Sequence, residues 1–260
     1  MSTDFILQTQ GLGKEFRGFA AVSNVSLQVA RGSIHALIGP NGAGKTTVFN
    51  LLTKFLPPTG GTIHYDGEDI TGLKPAEVAR KGLIRSFQIS AVFPHMTALD
   101  NVRVALLRVA GGSHRFWVSN RQLDAYTDRA MALLADVGLT DFADVLAVEL
   151  AYGRKRALEI ATTLALEPKL MLLDEPTQGM GVEDVDRVTA LIKRVAVGRT
   201  VLMVEHNLKV VSTLADRITV LARGQVLSEG DYATVSADPR VMEAYLGVSA
   251  DEQAQETAHA

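Results

Sequence analysis

Residues Gly39, Pro40, Asn41, Gly42, Ala43, Gly44, Lys45, Thr46 and Thr47 run as GPNGAGKTT and fit the pattern G-x-x-x-x-G-K-[ST] in full. Glycines at this spacing let successive backbone N–H groups point into one concavity, and a following helix adds the positive end of its dipole. Lys45 would bring a full charge to the β- and γ-phosphates of a nucleotide, and Thr46 a hydroxyl to Mg2+. A second chemical pair lies in LMLLDEP. Asp174, at the C-terminal end of an apolar strand, stands where doubly wound folds place their ligands and can hold Mg2+ through water. Glu175, next in line, can polarise an attacking water as a general base. A phosphate loop alone does not separate kinases, GTPases and ATPases, so the carboxylate pair adds information. A third stretch, LAYGRKRALEIA (150–161), reads alone either as an ordinary amphipathic helix or as a phosphate-reading turn.

These groups need elements to hold them. Residues 22–29, VSNVSLQV, alternate apolar and polar and predict a half-buried strand. Ile34 to Ile38 is the short apolar run of a buried strand, and it leads into the phosphate loop. Val48, Leu51, Leu52 and Phe55 predict one apolar helix stripe, stopped by Pro57-Pro58 and Gly60-Gly61. Residues 62–70 predict a hairpin turning at Asp66-Gly67. From about Ser90 to Leu166 the pattern is mostly helical, with Thr97 as a cap and Asp100 at the third helical position. AGGSHRFWVSN (110–120) interrupts it, and Phe116 and Trp117 are expected to pack between helices. After Pro168 the order becomes strand (170–175), helix (Val185, Val188, Leu191, Ile192, Val195), strand (200–206) and hairpin (RITVLARGQVLSEG). Strands alternating with helices imply an α/β core with a parallel sheet.

The bulk composition restricts the function classes. At 260 residues the chain can bury a substantial core. A net charge of −3 offers no broad basic field for nucleic acid. The absence of cysteine excludes disulfides and thiolate metal sites. The start MSTDFILQ does not read as a secretory signal, and no run approaches the ~18 apolar residues of a membrane helix. Any link to a membrane is therefore expected to go through a partner.

In this order the parts resemble an ABC-type ATPase, the nucleotide-binding subunit of an ABC transporter, from about Phe5 to Val248. The resemblance implies an α/β P-loop (RecA-like) core, an N-terminal antiparallel β subdomain and a helical insert. Residues 1–250 would form one such domain: 1–89 and 167–250 the core, about 90–166 the helical subdomain with the signature, and 251–260 a disordered tail. ATP and Mg2+ would be its cofactors. Phe16 would stack on adenine, with Phe19 a nearby competitor, and residues Gly39 to Thr47 would hold the phosphates. Gln88, in SFQ, would ligate Mg2+ beside Thr46 and Asp174 and sense the membrane subunit. Ala151 and Gly153 would belong to the signature, Glu175 would activate water, and His206 would contact the γ-phosphate alongside Lys45.

GPNGAGKTTVFNLLT, PPTGGTI, RSFQ, LAYG-x-x-R-x-LEIA and EAYLG together resemble the ATP-binding subunits of importers for branched-chain and other hydrophobic amino acids. Related systems carry urea, amides or aromatic acids. The resemblance implies a dimer closing on two ATPs, with a second ATPase subunit, the same or paralogous. It also implies two transmembrane permease subunits, indirectly a solute-binding protein, and a place at the cytoplasmic face of the inner membrane. The stretch ISAVFPHMTALDNV would meet the membrane subunit, with Phe93 and Met96 either anchors or internally packed. The chain departs from the family in two places. TQGMG puts Gly181 where the family often has Asp, and Ala151-Tyr152-Gly153-Arg154 replaces Ser-Gly-Gly-Gln. Arg154 either adds charge near phosphate or points to solvent, and solvent is favoured. A soluble ABC protein of DNA repair or translation usually carries a long coiled-coil insert or two fused cassettes, and neither is visible.

Overall fold

The computed structural model describes residues 4–86, 92–109 and 124–245. Gln88, the 110–120 interruption with Phe116 and Trp117, and the 251–260 tail lie outside the described residues. The chain divides into two compact units, Met1–Lys81 with Thr200–Ala260, and Gly82–Arg199.

The first unit holds β1 (Phe5–Phe16), β2 (Phe19–Val25), β3 (Gln28–Ala30), β4 (Ile34–Ile38), β5 (Gly60–Tyr65) and β6 (Glu68–Asp69). β1 pairs antiparallel with β2, β3 and β5, and β5 with β6. The tight turns Arg17-Gly18 (φ 48° and 88°) and Asp66-Gly67 (φ 53° and 82°) are left-handed at both central residues. That twist matches the strands they join, and the second turn is the one its Asp-Gly pair predicts. VSNVSLQV is not one strand. Asn24 is left-handed (φ 53°), β2 stops at Val25, and Thr9 Oγ1 fills the gap. It donates to Val25 O (3.0 Å) and accepts from Leu27 N–H (2.9 Å).

Still in that unit, β4 pairs parallel with β9 (Thr200–Val204) and β10 (Arg217–Ala222), and β10 antiparallel with β11 (Gln225–Gly230). Every residue of β4 and β9 is buried, as a continuous apolar run on a parallel strand requires. α1 (Lys45–Leu52) buries Val48, Leu51 and Leu52 as expected, but it ends well before Pro57. Lys54 turns left-handed (φ 64°) and reverses the chain, so Phe55 leaves the stripe and is 54% exposed. Pro75 then opens α2 (Pro75–Arg80), where the Glu77 carboxylate accepts from Lys74 N–H at 2.8 Å.

In the second unit β7 (Leu83–Ser86) runs parallel to β8 (Leu170–Asp174). α3 (Ala98–Val109), α4 (Thr127–Asp136) and α5 (Tyr152–Ala165) pack on one another. Thr97 Oγ1 accepts from Asp100 N–H (3.1 Å), the cap expected there. α6 (Val182–Val195) buries the stripe Val185, Val188, Leu191, Ile192 and Val195. Among the described residues no helix is long and apolar enough to cross a membrane.

His35 is an unexpected core residue of β4. It is fully buried, with Nε2 2.8 Å from Thr219 Oγ1. Burial first, and then Arg217, push its pKa down to about 4. The unfolded chain, with a histidine pKa near 6.5, therefore binds a proton that the folded chain refuses. Stability is full above about pH 6.5 and falls as pH drops toward 4, by about 2 kcal/mol at pH 5. Urea midpoints at pH 7.5 and pH 5 should separate widely for the wild-type chain and less for His35→Leu. Equal pH dependence in both proteins would remove His35 as the cause.

Candidate nucleotide-binding site

In the first unit the phosphate loop leaves β4 at Ile38 and turns at Gly39, whose φ is 150°. A Cβ there would lie 2.1 Å from Leu221 O, so only glycine lets the loop pass this close to β10. The far side of the loop is held by Gly224 N–H donating to Ala43 O at 3.0 Å. α1 starts at Lys45 with no side-chain cap and no acid in its first turn. Its leading N–H groups and dipole are thus left for an anion. Lys45 is buried, and its ammonium donates to Gly39 O (2.6 Å) and Pro40 O (3.0 Å). Thr46 is exposed and Thr47 half-buried at the same helix start.

Two further groups of this unit surround the expected site residues. Glu205 is fully buried directly after β9, and its Oε2 accepts from His206 N–H (2.9 Å) and Asn207 N–H (3.0 Å). Asn207 then caps α7 (Leu208–Leu214). The strand expected to run to 206 therefore ends at Val204, and His206 stands in the connection with its side chain 55% exposed. Tyr245 is the other. Burial pushes its phenol up to about 12, and the Gly39 peptide beside it works in the opposite direction. Phe16 and Phe19 face each other across the Arg17-Gly18 turn, 42% and 69% exposed. Lys14 Nζ lies 5.2 Å from the Phe16 ring centre.

In the second unit Asp174 ends β8 and is 1% exposed, and its carboxylate is ion-paired with the Arg85 guanidinium from β7. Arg156 of α5 donates to the Asp174 carbonyl (2.9 Å) and pairs with Glu159 (2.6 Å). Glu175 follows in the left-handed region (φ 45°), a backbone state that costs a non-glycine residue about 1–2 kcal/mol. Gln178 N–H closes the turn onto Glu175 O at 3.1 Å. Strain of this kind persists where the surroundings over-determine it, which is common at functional positions.

The LAYG stretch opens α5. Ala151 is its exposed N-cap and supplies no side-chain cap, so the first-turn N–H groups of a 14-residue helix face outward. Tyr152 Oη donates to Gln178 O (3.1 Å). A Cβ on Gly153 would lie 2.9 Å from Asp184 Oδ1. Arg154 places its guanidinium 3.9 Å from the Phe142 ring centre, so it is exposed yet stacked on an aromatic face. Gly181 is the N-cap of α6 with an extended backbone (φ −70°) and open space at its Cβ. Neither sterics nor backbone demands glycine there. Phe93 is 53% exposed, whereas Met96 is half-buried. Val148 N–H donates to Pro94 O (2.9 Å), which brings Val148, 47% exposed, to the same edge.

The first unit thus gathers the loop from Gly39 to Thr47 on one strand–helix junction, and the second gathers Asp174, Glu175 and the start of α5. Arg85, Arg156, Glu205 and Tyr245 were not singled out from sequence. Arg85 and Tyr245 meet partners far along the chain, Arg156 meets the Asp174 carbonyl as well as Glu159 three residues on, and Glu205 binds the two peptides that follow it. RSFQ, LAYG-x-x-R-x-LEIA and EAYLG, quoted as subfamily marks, contain Arg85, Arg156 and Tyr245, and the strand read to 206 contains Glu205.

Comparison with known proteins gives the family and the fold. The ABC transporter family matches residues 22–178, and the branched-chain amino acid ATP-binding cassette transporter family matches residues 225–251. The high-affinity branched-chain amino acid transport ATP-binding protein BraF of Pseudomonas aeruginosa is 42% identical over 252 residues, covering 93% of this chain and 98% of BraF. Among solved structures, MJ1267 in its ADP conformation, an ATP-binding cassette of an ABC transporter, has a TM-score of 0.84 at 30% identity. It covers 94% of this chain and 100% of that one. A dimeric post-hydrolysis state of the cassette MJ0796 bound to ADP and Pi has a TM-score of 0.72 at 26% identity, covering 86% and 98%. The fold is the α/β P-loop cassette of ABC ATPases. The family match and the near full-length relationship together make this chain a member of the ABC transporter ATPases, in the group of branched-chain amino acid ATP-binding cassettes.

Proposed function

We propose that the protein is the ATP-hydrolysing subunit of an importer for branched-chain or other hydrophobic amino acids, held at the cytoplasmic face of the inner membrane by its partners. The observation that carries the catalytic part is Glu175, kept in a left-handed conformation directly after a fully buried strand that ends in Asp174. The names of the relatives support the cargo class.

Lys45 exchanges its two carbonyl partners for β- and γ-phosphate oxygens, while the N–H groups from Gly42 to Thr47 take the remaining oxygens. Phe16 stacks on the adenine. Asp174 and the Thr46 hydroxyl, with Gln88, are hard oxygen donors suited to Mg2+, which prefers oxygen ligands and keeps several waters. Held by these residues, Mg2+ would supply positive charge to offset the negative charge developing on the phosphate oxygens. Glu175 accepts a proton from the water that attacks the γ-phosphorus, the bond to the β-bridging oxygen breaks, and ADP leaves. His206 steadies the γ-phosphate, its backbone N–H anchored by the buried Glu205 carboxylate. Ala151 and Gly153 present the N-terminus of α5 to the ATP of a second ATPase subunit, identical or paralogous. Closure of that dimer moves the helical subdomain, taken as about 90–166, and the two permease subunits that receive substrate from a solute-binding protein. The edge formed by Phe93, Pro94 and Val148 is the permease contact.

Glu175→Gln is expected to bind ATP, accumulate a dimer and lose turnover by roughly 10²–10⁴-fold in a phosphate-release assay. Normal turnover would end the general-base assignment. Lys45→Ala should weaken ATP binding by at least about tenfold in a fluorescent-nucleotide titration, and unchanged affinity would remove the phosphate-loop role. Phe93→Ala should leave the ATPase rate of the isolated subunit intact while reducing recovery of the permeases on co-purification. Full recovery would move the docking surface elsewhere.

A further inference from the structure

We propose that Arg85 is a positioning residue for Asp174, a resident counter-ion that withholds the carboxylate from a divalent cation arriving without phosphate. The inference rests on the reading of Asp174 as the carboxylate on the Mg2+ side of the site. Parallel pairing of β7 and β8 sets Arg85 opposite Leu172, and Asp174 lies two residues further along the same face. The long arginine side chain spans that offset to reach the carboxylate at the strand end. Both side chains are shielded from water, 8% and 1% exposed. Arg156 holds the Asp174 carbonyl and pairs with Glu159, which is also buried. The charges of Arg85, Asp174, Arg156 and Glu159 therefore cancel, and Glu175 is the next carboxylate along the chain.

A hydrated Mg2+ dehydrates reluctantly and gains little from a carboxylate already neutralised by a guanidinium. A triphosphate supplies the missing negative charge, so the metal enters with the nucleotide. Asp174 without its partner would be an uncompensated buried charge. Loss of the guanidinium should then lower stability and also open the carboxylate to bare metal. An ion pair that only supports the fold would produce the first effect alone.

The test uses the full chain and follows thermal unfolding in EDTA, in millimolar Mg2+ alone, and in Mg2+ with ATP. Mn2+ binding without nucleotide is read in parallel by paramagnetic resonance. The wild-type chain should ignore bare metal and be stabilised by Mg2+ with ATP. Arg85→Met should unfold roughly 5–10 °C lower in EDTA, recover part of that loss in Mg2+ alone, and bind Mn2+. Arg85→Gln, which keeps a hydrogen-bonding group without the charge, should respond to bare metal in the same way and serves if Arg85→Met does not fold. Arg85→Lys should restore indifference to bare metal, and adding Asp174→Asn to Arg85→Gln should abolish the metal response. Neutral variants as indifferent as the wild type, or a wild type that binds bare Mn2+, would overturn the proposal. Failure of ATP to stabilise the wild type would instead overturn the nucleotide-site reading, because the bare-metal comparison involves no nucleotide.

Discussion

A carboxylate almost completely removed from water must be met by hydrogen-bond donors or positive charge, and the Gly82–Arg199 unit is arranged to supply positive charge at Asp174. β8 is apolar up to its last residue, so solvent cannot compensate the charge at its end. Compensation comes from two directions: Arg85 on the neighbouring strand reaches the carboxylate, and Arg156 on α5 reaches the carbonyl. The same contacts fix the strand against the helix that begins with the LAYG stretch. Isolated buried pairs often add little net stability, whereas separating one is strongly destabilising. Such a pair therefore specifies an arrangement more than it strengthens one.

The first unit meets a complementary requirement, the gathering of positive charge at one strand–helix junction. Its phosphate loop concentrates N–H groups, a helix dipole and the Lys45 ammonium. In the protein alone that ammonium is satisfied by the carbonyls of Gly39 and Pro40. The loop is anchored on both sides, because glycine permits close approach to the backbone of β10 and because Gly224 bonds back to Ala43. Preorganised donors of this sort need little rearrangement when an anion arrives.

The parts of the fold legible in sequence are those governed by short-range rules. Ile34–Ile38 and Leu170–Asp174 were readable because a strand buried on both faces must be apolar throughout. The Asp66-Gly67 turn and the Thr97 cap were readable because each depends on a residue and its immediate neighbours. Where one residue adopted an unusual backbone state, the reading failed. Asn24 split an apparently continuous alternation, and Lys54 ended α1 early and turned Phe55 outward. The phosphate loop and the Asp-Glu pair were legible as motifs, but the left-handed state of Glu175 was not. Arg85 and Arg156 stood in the quoted RSFQ and LAYG-x-x-R stretches without a role: charged residues are usually solvated, and only the folded chain shows that these two are buried beside Asp174. Arg154, expected to face solvent, is exposed but rests on Phe142.

Gly153 has a consequence for how substitutions in the signature should be interpreted. The glycine is ordinarily valued for letting backbone approach a phosphate across a dimer. In this chain a Cβ at position 153 would also meet the tip of the Asp184 side chain, and its neighbour Tyr152 is bonded to the Gln178 peptide. A side chain at position 153 would therefore push aside the Asp184 carboxylate, which pairs with Arg187 at 3.5 Å, even in a lone subunit with no nucleotide present. The effect of a substitution there is not by itself a measure of contact with ATP, since the first turn of α5 is also the joint on which the loop after Glu175 is mounted.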